Sequence, residues 1–531
     1  MFTPPANFAQ AEERLRQAEA TLLQAQRDVL ELSKIRNNFL LIHQLPAEVL
    51  GDIFLKVSLD GSEMSRPVRW ISITQVCARW RSISLGFPAL WARPDFVCSP
   101  PFTELMLDRS GNVPLHMKID NVGRKLSRIN NLDLHFQRCR ELEVDHHSLS
   151  SLIPYFHNPT TLRALKINGQ RNYIPRSLIH PLPSCPALTH LEIEGCLLQW
   201  GRLPVVSTLK TLKLDNSVDR GRSGLITDMH QVLSSMPALE VLDLVWMCAW
   251  EPRPTFASSR PPVVLENLRT LNILDREIQD VQAFLASISI PPATTLDLEV
   301  EDRHHEDREH VPALLHSLAT IFNNTSPSGH GVDSRWQKHS KLELNTNGYG
   351  DFFRSSCWDD ANGEDTREPK LTLRLPNRDA LFHLAKLSEV FGLTYLRWFS
   401  IIGAQTLGLD AWLFFASVTG LEKITFSCRA PIPVFLSTLA GTVIHPLSTG
   451  DIPFPGLREL EFDDIDFEPM DTDLPPLLDT LFQAIKGRPA GQQLRKVTIT
   501  RSGSVEAASV ERLREVVEVN WDNVEEDWWE W

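Results

Sequence analysis

The sequence predicts an α/β repeat solenoid, with parallel strands on a concave face and helices on a convex face, preceded by an all-α module and an N-terminal helix of coiled-coil type. Three observations predict it. One apolar phrase, L-x-x-L-x-L, recurs from residue 162 to 499. Helical patterns lie between its copies, and residues 8 to 95 carry helical spacing of their own. At 531 residues the chain is longer than one hydrophobic core supports, so several domains or a repeat array is expected.

Composition narrows the class. Hydrophobic residues make up 42 % of the chain and charged residues 23 %, enough apolar surface to offset the entropy of ordering. A formal net charge of −14 weighs against a phosphate-neutralising surface, so nucleic acid is not an expected partner. The 8 cysteines are scattered singly without a CxxC pair, which fits a reducing compartment. The start MFTPPANFAQAEERLRQ lacks a basic stretch followed by an apolar run. No uninterrupted apolar stretch of about 18 residues occurs, so a cytoplasmic or nuclear protein without a membrane span is expected.

The first element is residues 1–42. Residues 8 to 40 contain no Pro or Gly, and Leu15, Ala18, Leu22, Ala25, Val29 and Leu32 alternate steps of three and four. That period of 3.5 is a coiled-coil seam, which either pairs with another chain in a dimer or packs on its own chain.

The second element, residues 43–95, holds two apolar helical patterns joined by the turn-rich stretch LDGSEMSRP and followed by GFPALWARP. Pro46 suits a first helical turn, where its missing N–H is no loss, and Glu48 suits the positive helix start. Val49, Leu50, Ile53, Phe54 and Val57 share one face. In the second pattern Trp70, Ile73, Val76, Cys77, Trp80 and Ile83 recur at helical spacing. So small a unit cannot hide all this apolar surface, which points to a partner or to the following domain.

The third element, residues 100–520, is the repeat. The phrase reads LRALKI at 162, LTHLEI at 188, LKTLKL at 209, LEVLDL at 239 and LRTLNI at 268, and later LEKITF at 421, LRELEF at 457 and LRKVTI at 494. The spacing of the first five is that of leucine-rich repeats, and the wider later spacing implies insertions. Period two sends Leu165 and Ile167 into a shared core and Ala164 and Lys166 the other way. Degenerate copies, TTLDLEV and KLELN, fill the middle, and ITDMHQVLSSM, VPALLHSLATIF, RDALFHLAKLSEV and LPPLLDTLFQAI read as the intervening helices. Prolines end helices before strands in SCPALTHL and SMPALEVL.

Two polar stretches, 301–310 (EDRHHEDREH) and 355–369 (SSCWDDANGEDTREP), read as surface loops. The final stretch, 521–531, is an acidic-aromatic tail, either docked by its tryptophans or a motif for a partner. His304, His305, Glu306, Glu309 and His310 are zinc-ligand types, but His305 and His310 lie five apart rather than one helical turn apart, so a solvated loop is the better reading. No P-loop, GxGxxG or GxSxG motif occurs. The expectation is a chain without catalysis, metal or cofactor.

Between residues 45 and 91 the order LPAEVLGDIF, VCARWRSIS, LW resembles the F-box. With the repeats behind it, the chain resembles the F-box and leucine-rich repeat proteins numerous in mushroom-forming fungi. The resemblance implies a substrate-recognition subunit of a cullin-RING (SCF-type) ubiquitin ligase. Leu45, Pro46, Val49, Leu50, Ile53, Phe54, Val76, Trp80 and Leu90 would build the module and present its surface to a Skp-type adaptor, which ties the receptor to a cullin. Trp80 suits a core as well as a contact. The long linker Ser58 to Arg69 departs from the compact form of the motif.

If the strands are read in this register, Lys166, Glu192, Lys213, Asp243, Asn272, Lys423, Glu459, Glu461 and Asp463 line a concave surface suited to a protein substrate. Glu459, Glu461 and Asp463 would favour a basic segment of it. The alternatives are a non-catalytic repeat scaffold without ligase association and, more remotely, a metal-dependent enzyme using the His/Glu-rich loop.

Overall fold

The structure, a computed structural model, describes residues 7–60, 69–120, 126–155, 159–169, 185–196, 198–204, 206–216, 226–248, 261–291, 294–300, 310–323, 341–345, 352–358, 371–376, 396–403, 407–428, 430, 432–441, 452–468 and 476–524. The chain divides into two compact units, Met1–Ile167 with Pro183–Ala187, and Asn168–Leu182 with Leu188–Trp531. Among the described residues no helix is long and apolar enough to cross a membrane.

The first unit begins with α1 (Phe8–Asn38), started by the side chain of Asn7 accepting the N–H of Gln10 at 2.9 Å. Then come α2 (Ala47–Asp60), a 3₁₀ segment at Arg69–Gln75, α3 (Ala78–Leu85), a second 3₁₀ turn at Pro88–Trp91 and α4 (Pro100–Arg109). One core joins them. Leu50, Phe54, Trp70, Ile73, Leu90, Trp91 and Met106 are buried together, with Leu45, Ile71, Trp80, Ile83, Leu85, Phe87 and Phe102 packed around them. Trp91 is deeply buried because its ring N–H finds the Ser84 carbonyl at 2.7 Å, so no donor is stranded. Strands β1 (Leu115–Ile119), β2 (Cys139–Asp145) and β3 (Ala164–Asn168) follow in that order in a sheet, β1 and β2 parallel, with α5 (Leu132–Gln137) and α6 (His146–Leu152) alongside in sequence.

Two expectations are corrected here. The continuous second helix from Trp70 to Ile83 is broken, because Cys77 adopts extended backbone and caps α3, its sulfur accepting the N–H of Trp80 at 3.4 Å. The linker from Ser58 is shorter than expected, because α2 continues to Asp60.

The second unit is mixed α/β around a long, largely parallel sheet. Its strands are β4 (His190–Glu194), β5 (Thr211–Asp215), β6 (Val241–Val245), β7 (Val263–Val264), β8 (Thr270–Asp275), β9 (Ile288–Ser289), β10 (Thr295–Val300), β11 (Lys341–Asn345), β12 (Phe352–Trp358), β13 (Leu371–Pro376), β14 (Trp398–Ile402), β15 (Lys423–Ser427), β16 (Glu459–Asp463), β17 (Lys496–Thr500) and β18 (Glu518–Trp521). The sheet order is β4-β5-β6-β8-β10-β13-β12-β11-β14-β15-β16-β17-β18, and β7 pairs with β9 apart from it. Neighbours are parallel except around β12, which runs antiparallel to both β11 and β13. That meander corrects the expected simple succession of parallel strands. It also corrects the polar loop at 355–369, since residues 355–358 belong to β12; residues 359–369 lie outside the described residues.

Alternation makes the core: along β4, β5, β6, β11 and β17 the second and fourth residues are buried and their neighbours are half-exposed. Copies of the phrase supply these buried positions in β4, β5, β6 and β17, as with Leu191 and Ile193 or Val497 and Ile499, and the degenerate copy KLELN supplies them in β11. The strands leave the sheet in a common way. Gly195, Trp246, Gly403, Cys428, Asp464 and Arg501, each just past a strand, have positive φ between 50° and 111°. The N–H of the first five still donates to the next strand, for example Trp246 to the Leu274 carbonyl at 2.7 Å and Asp464 to that of Thr500 at 3.0 Å. The chain thus turns out of the sheet without losing a ladder bond, which offsets the cost of left-handed backbone at non-glycine residues. Gly169 is required for a different reason. A Cβ there would lie 1.7 Å from the Gly195 carbonyl oxygen.

Helices α7 (Ile226–Ser234), α8 (Ile278–Ala286), α9 (Val311–Asn323), α10 (Leu409–Ala416), α11 (Pro433–Leu439), α12 (Leu477–Lys486) and α13 (Ala507–Arg514) alternate with strands. Successive helices pack on one another from α8 to α9 and from α10 through α13. The helix expected at 378–390 and the tail from residue 525 lie outside the described residues; Trp521, the first residue assigned to the tail, belongs to β18.

Candidate functional site

Two surfaces emerge, one in each unit. In the first unit α2 has two faces. Leu50 and Phe54 point into the core, while Val49 (42 % exposed), Ile53 (37 %) and Val57 (48 %) form an outward stripe one helical turn apart. Pro46 stands exposed at the head of that helix, and Val76, 59 % exposed, also stands outside the core. Leu45 is half-buried against the core, and Arg79 donates to its carbonyl at 2.6 Å, which ties the loop before α2 to α3.

The expected adaptor surface is therefore corrected in part. Leu50, Phe54 and Leu90 are at most 2 % exposed and serve the interior, because each lies on the side of its helix or turn that meets Trp70, Trp91 and Met106. Trp80 is half-buried, its ring 4.9 Å from that of Phe54. What remains outward is Pro46, Val49, Ile53, Val57 and Val76. Val57 joins the set through helical spacing that the sequence already displayed.

In the second unit the outward positions of the parallel strands fall in rows. Glu192, Lys213, Asp243, Asn272 and Asp297 stand in register across β4, β5, β6, β8 and β10. Asn272 donates to Asp243 at 3.5 Å. Burial pushes the Asp243 carboxyl above its usual range, a shift opposed by Asn272 and Lys213. Lys166, on β3 of the first unit, is half-exposed.

A second row crosses Lys341, Trp398, Lys423, Glu459 and Lys496. Trp398 lies between the ammonium groups of Lys341 and Lys423, at 4.1 and 4.4 Å from its ring, and donates to Thr425 Oγ at 3.0 Å. Trp398 was missed in the sequence because its strand, LRWFSI, carries Phe399 where the phrase has its second leucine. A phrase relaxed to any large apolar residue finds it.

The acidic cluster expected at Glu459, Glu461 and Asp463 is corrected. Glu461 pairs with Lys423 at 2.7 Å. Arg501 holds Asp463 through two nitrogens, and Thr500 donates to it at 2.9 Å, so hydrogen bonding from Arg501 lowers the Asp463 carboxyl below its usual range. Only Glu459 of the three is exposed, and its register neighbours are Lys423 and Lys496. The surface is of mixed charge with an aromatic centre.

Among the described residues no group of three or more His, Cys, Asp or Glu is placed to hold a metal ion. Residues 301–309 of the His/Glu-rich stretch lie outside the described residues, and His310 hydrogen-bonds with Gln279. Burial pushes the thiols of Cys139 and Cys196 up to about 12, which keeps them protonated and unreactive. Compared with known proteins, the chain matches no family model and no curated protein.

Proposed function

We propose that this chain is the substrate-recognition subunit of a cullin-RING ubiquitin ligase, an F-box module followed by a leucine-rich repeat array. In this reading the helical module binds a Skp-type adaptor, the outward rows of the sheet bind a protein substrate, and ubiquitin transfer follows from proximity rather than from chemistry by this chain. The observation that carries it is the outward stripe Val49, Ile53 and Val57 below the exposed Pro46, on a helix whose opposite face is already satisfied. Apolar side chains in line on a small module, with nothing left inside for them to fill, mark a docking face. The Trp398 row supports the second half, since an aromatic side chain flanked by lysines and carboxylates is the composition of a protein-binding centre.

The test is a pull-down of the full-length chain with a Skp-type adaptor, comparing wild type with Val49→Asp/Ile53→Asp, whose fold is checked by circular dichroism and should persist because neither side chain belongs to the buried core. Binding by wild type and its loss in the variant is the expected result. Absence of binding by wild type overturns the reading and leaves a repeat scaffold.

A further inference from the structure

α1 spans 31 residues, about 46 Å at the rise of an α-helix, and none of them is buried. Leu15, Leu22, Val29 and Leu32 of its seam are 58–65 % exposed. A helix that turns such a stripe to water gains nothing from it, since helices in proteins draw their stability mainly from packing an apolar face. We infer that α1 pairs antiparallel with α1 of a second copy of this chain.

The order of large and small residues selects both the partner and the direction. One heptad position carries Phe8, Leu15, Leu22, Val29 and Arg36; the other carries Ala11, Ala18, Ala25, Leu32 and Phe39. A parallel pair would stack Leu22 on Leu22 and Ala25 on Ala25, alternating wide and narrow layers, and would set Arg36 against Arg36. Reversing one helix removes both faults. Leu22 then meets Ala25 and Val29 meets Ala18, so each of the four central layers sets one large side chain against one small one, and Leu15 meets Leu32 and Phe8 meets Phe39 towards the ends. Arg36 meets Ala11, beside Glu12. The flanking pairs become Glu12 with Ser33, Glu19 with Gln26, Arg14 with Ile35 and Thr21 with Asp28, and none joins like charges. A parallel pair would gain Arg14 against Glu19, but exposed ion pairs contribute little.

This complementarity is of the helix with its own reverse. A two-fold interface between identical chains demands that property, and an unrelated partner does not. The antiparallel arrangement also sets the two folded bodies, which begin just past Asn38, at opposite ends of the rod.

Light scattering of the full-length chain at micromolar concentration tests the pairing. Wild type is expected at twice the chain mass, Leu22→Asp and Val29→Asp at the single-chain mass, and Leu23→Asp, on the same helix but off the seam, at twice the mass. Oxidation tests the direction: Ala18→Cys mixed with Val29→Cys gives a covalent dimer beyond that of wild type, and neither variant alone does. A wild type of single-chain mass, a dimer that survives Leu22→Asp, or equal dissociation by Leu23→Asp overturns the pairing. Cross-linking of Val29→Cys to itself overturns the antiparallel arrangement.

Discussion

Asp275 ends β8 fully buried, and its two carboxylate oxygens accept the N–H groups of Cys248 and Arg276, each at 2.8 Å. Burial nevertheless pushes its carboxyl above the usual range, against the pull of those two donors. A carboxyl that holds its proton longer in the folded chain costs stability as the pH rises. That loss begins near the unfolded value of about 3.9 and is complete above the raised folded value. The melting temperature of Asp275→Asn relative to wild type should therefore climb as the pH goes from acidic to neutral. A difference that stays constant would show that the two N–H bonds cancel the burial. Nothing near Asp275 in the sequence marks this role, because Cys248 is 27 residues away. Leu271 and Ile273 on the same strand were legible, since burial of alternate residues depends only on the period of a strand.

At the scale of an element, α2 shows what spacing reveals and what it leaves open. Val49, Leu50, Ile53, Phe54 and Val57 read as one apolar face; the fold splits them into an inner pair, Leu50 and Phe54, and an outer three. Leu50→Ala should cost about 2–5 kcal/mol by opening a cavity, whereas Val49→Ala should stay within about 0.5 kcal/mol, as chemical denaturation would measure. Similar losses in both would mean that Val49 is covered within the chain. The split was not legible because an apolar arc this wide on a short helix can meet the core by either edge, and the choice belongs to Trp70, Trp91 and Met106. The break at Cys77 was hidden for a related reason: Trp70 and Ile73 before it and Trp80 and Ile83 after it keep one helical spacing, although the backbone leaves the helix at Cys77.

For the molecule as a whole, the two docking faces proposed for the first unit should act independently, since α1 buries none of its residues and the α2 stripe stands on a separate core. Leu22→Asp should abolish the dimer and keep the proposed adaptor binding, and Val49→Asp/Ile53→Asp should do the reverse; light scattering and the pull-down on the same preparations check both. Coupled losses would place the two faces in one interface. The sequence by itself determined that strands and helices alternate and which side chains fill the sheet's interior, because each copy of the phrase imposes period two on a few neighbouring residues. It also determined the seam of α1. Only the tertiary structure decided the lateral order of the strands, where β12 reverses direction between β11 and β13, and the pairing of Lys423 with Glu461 and of Arg501 with Asp463. Those contacts join residues 38 apart in sequence, on or just past neighbouring strands, and no local pattern can specify which strand becomes another's neighbour.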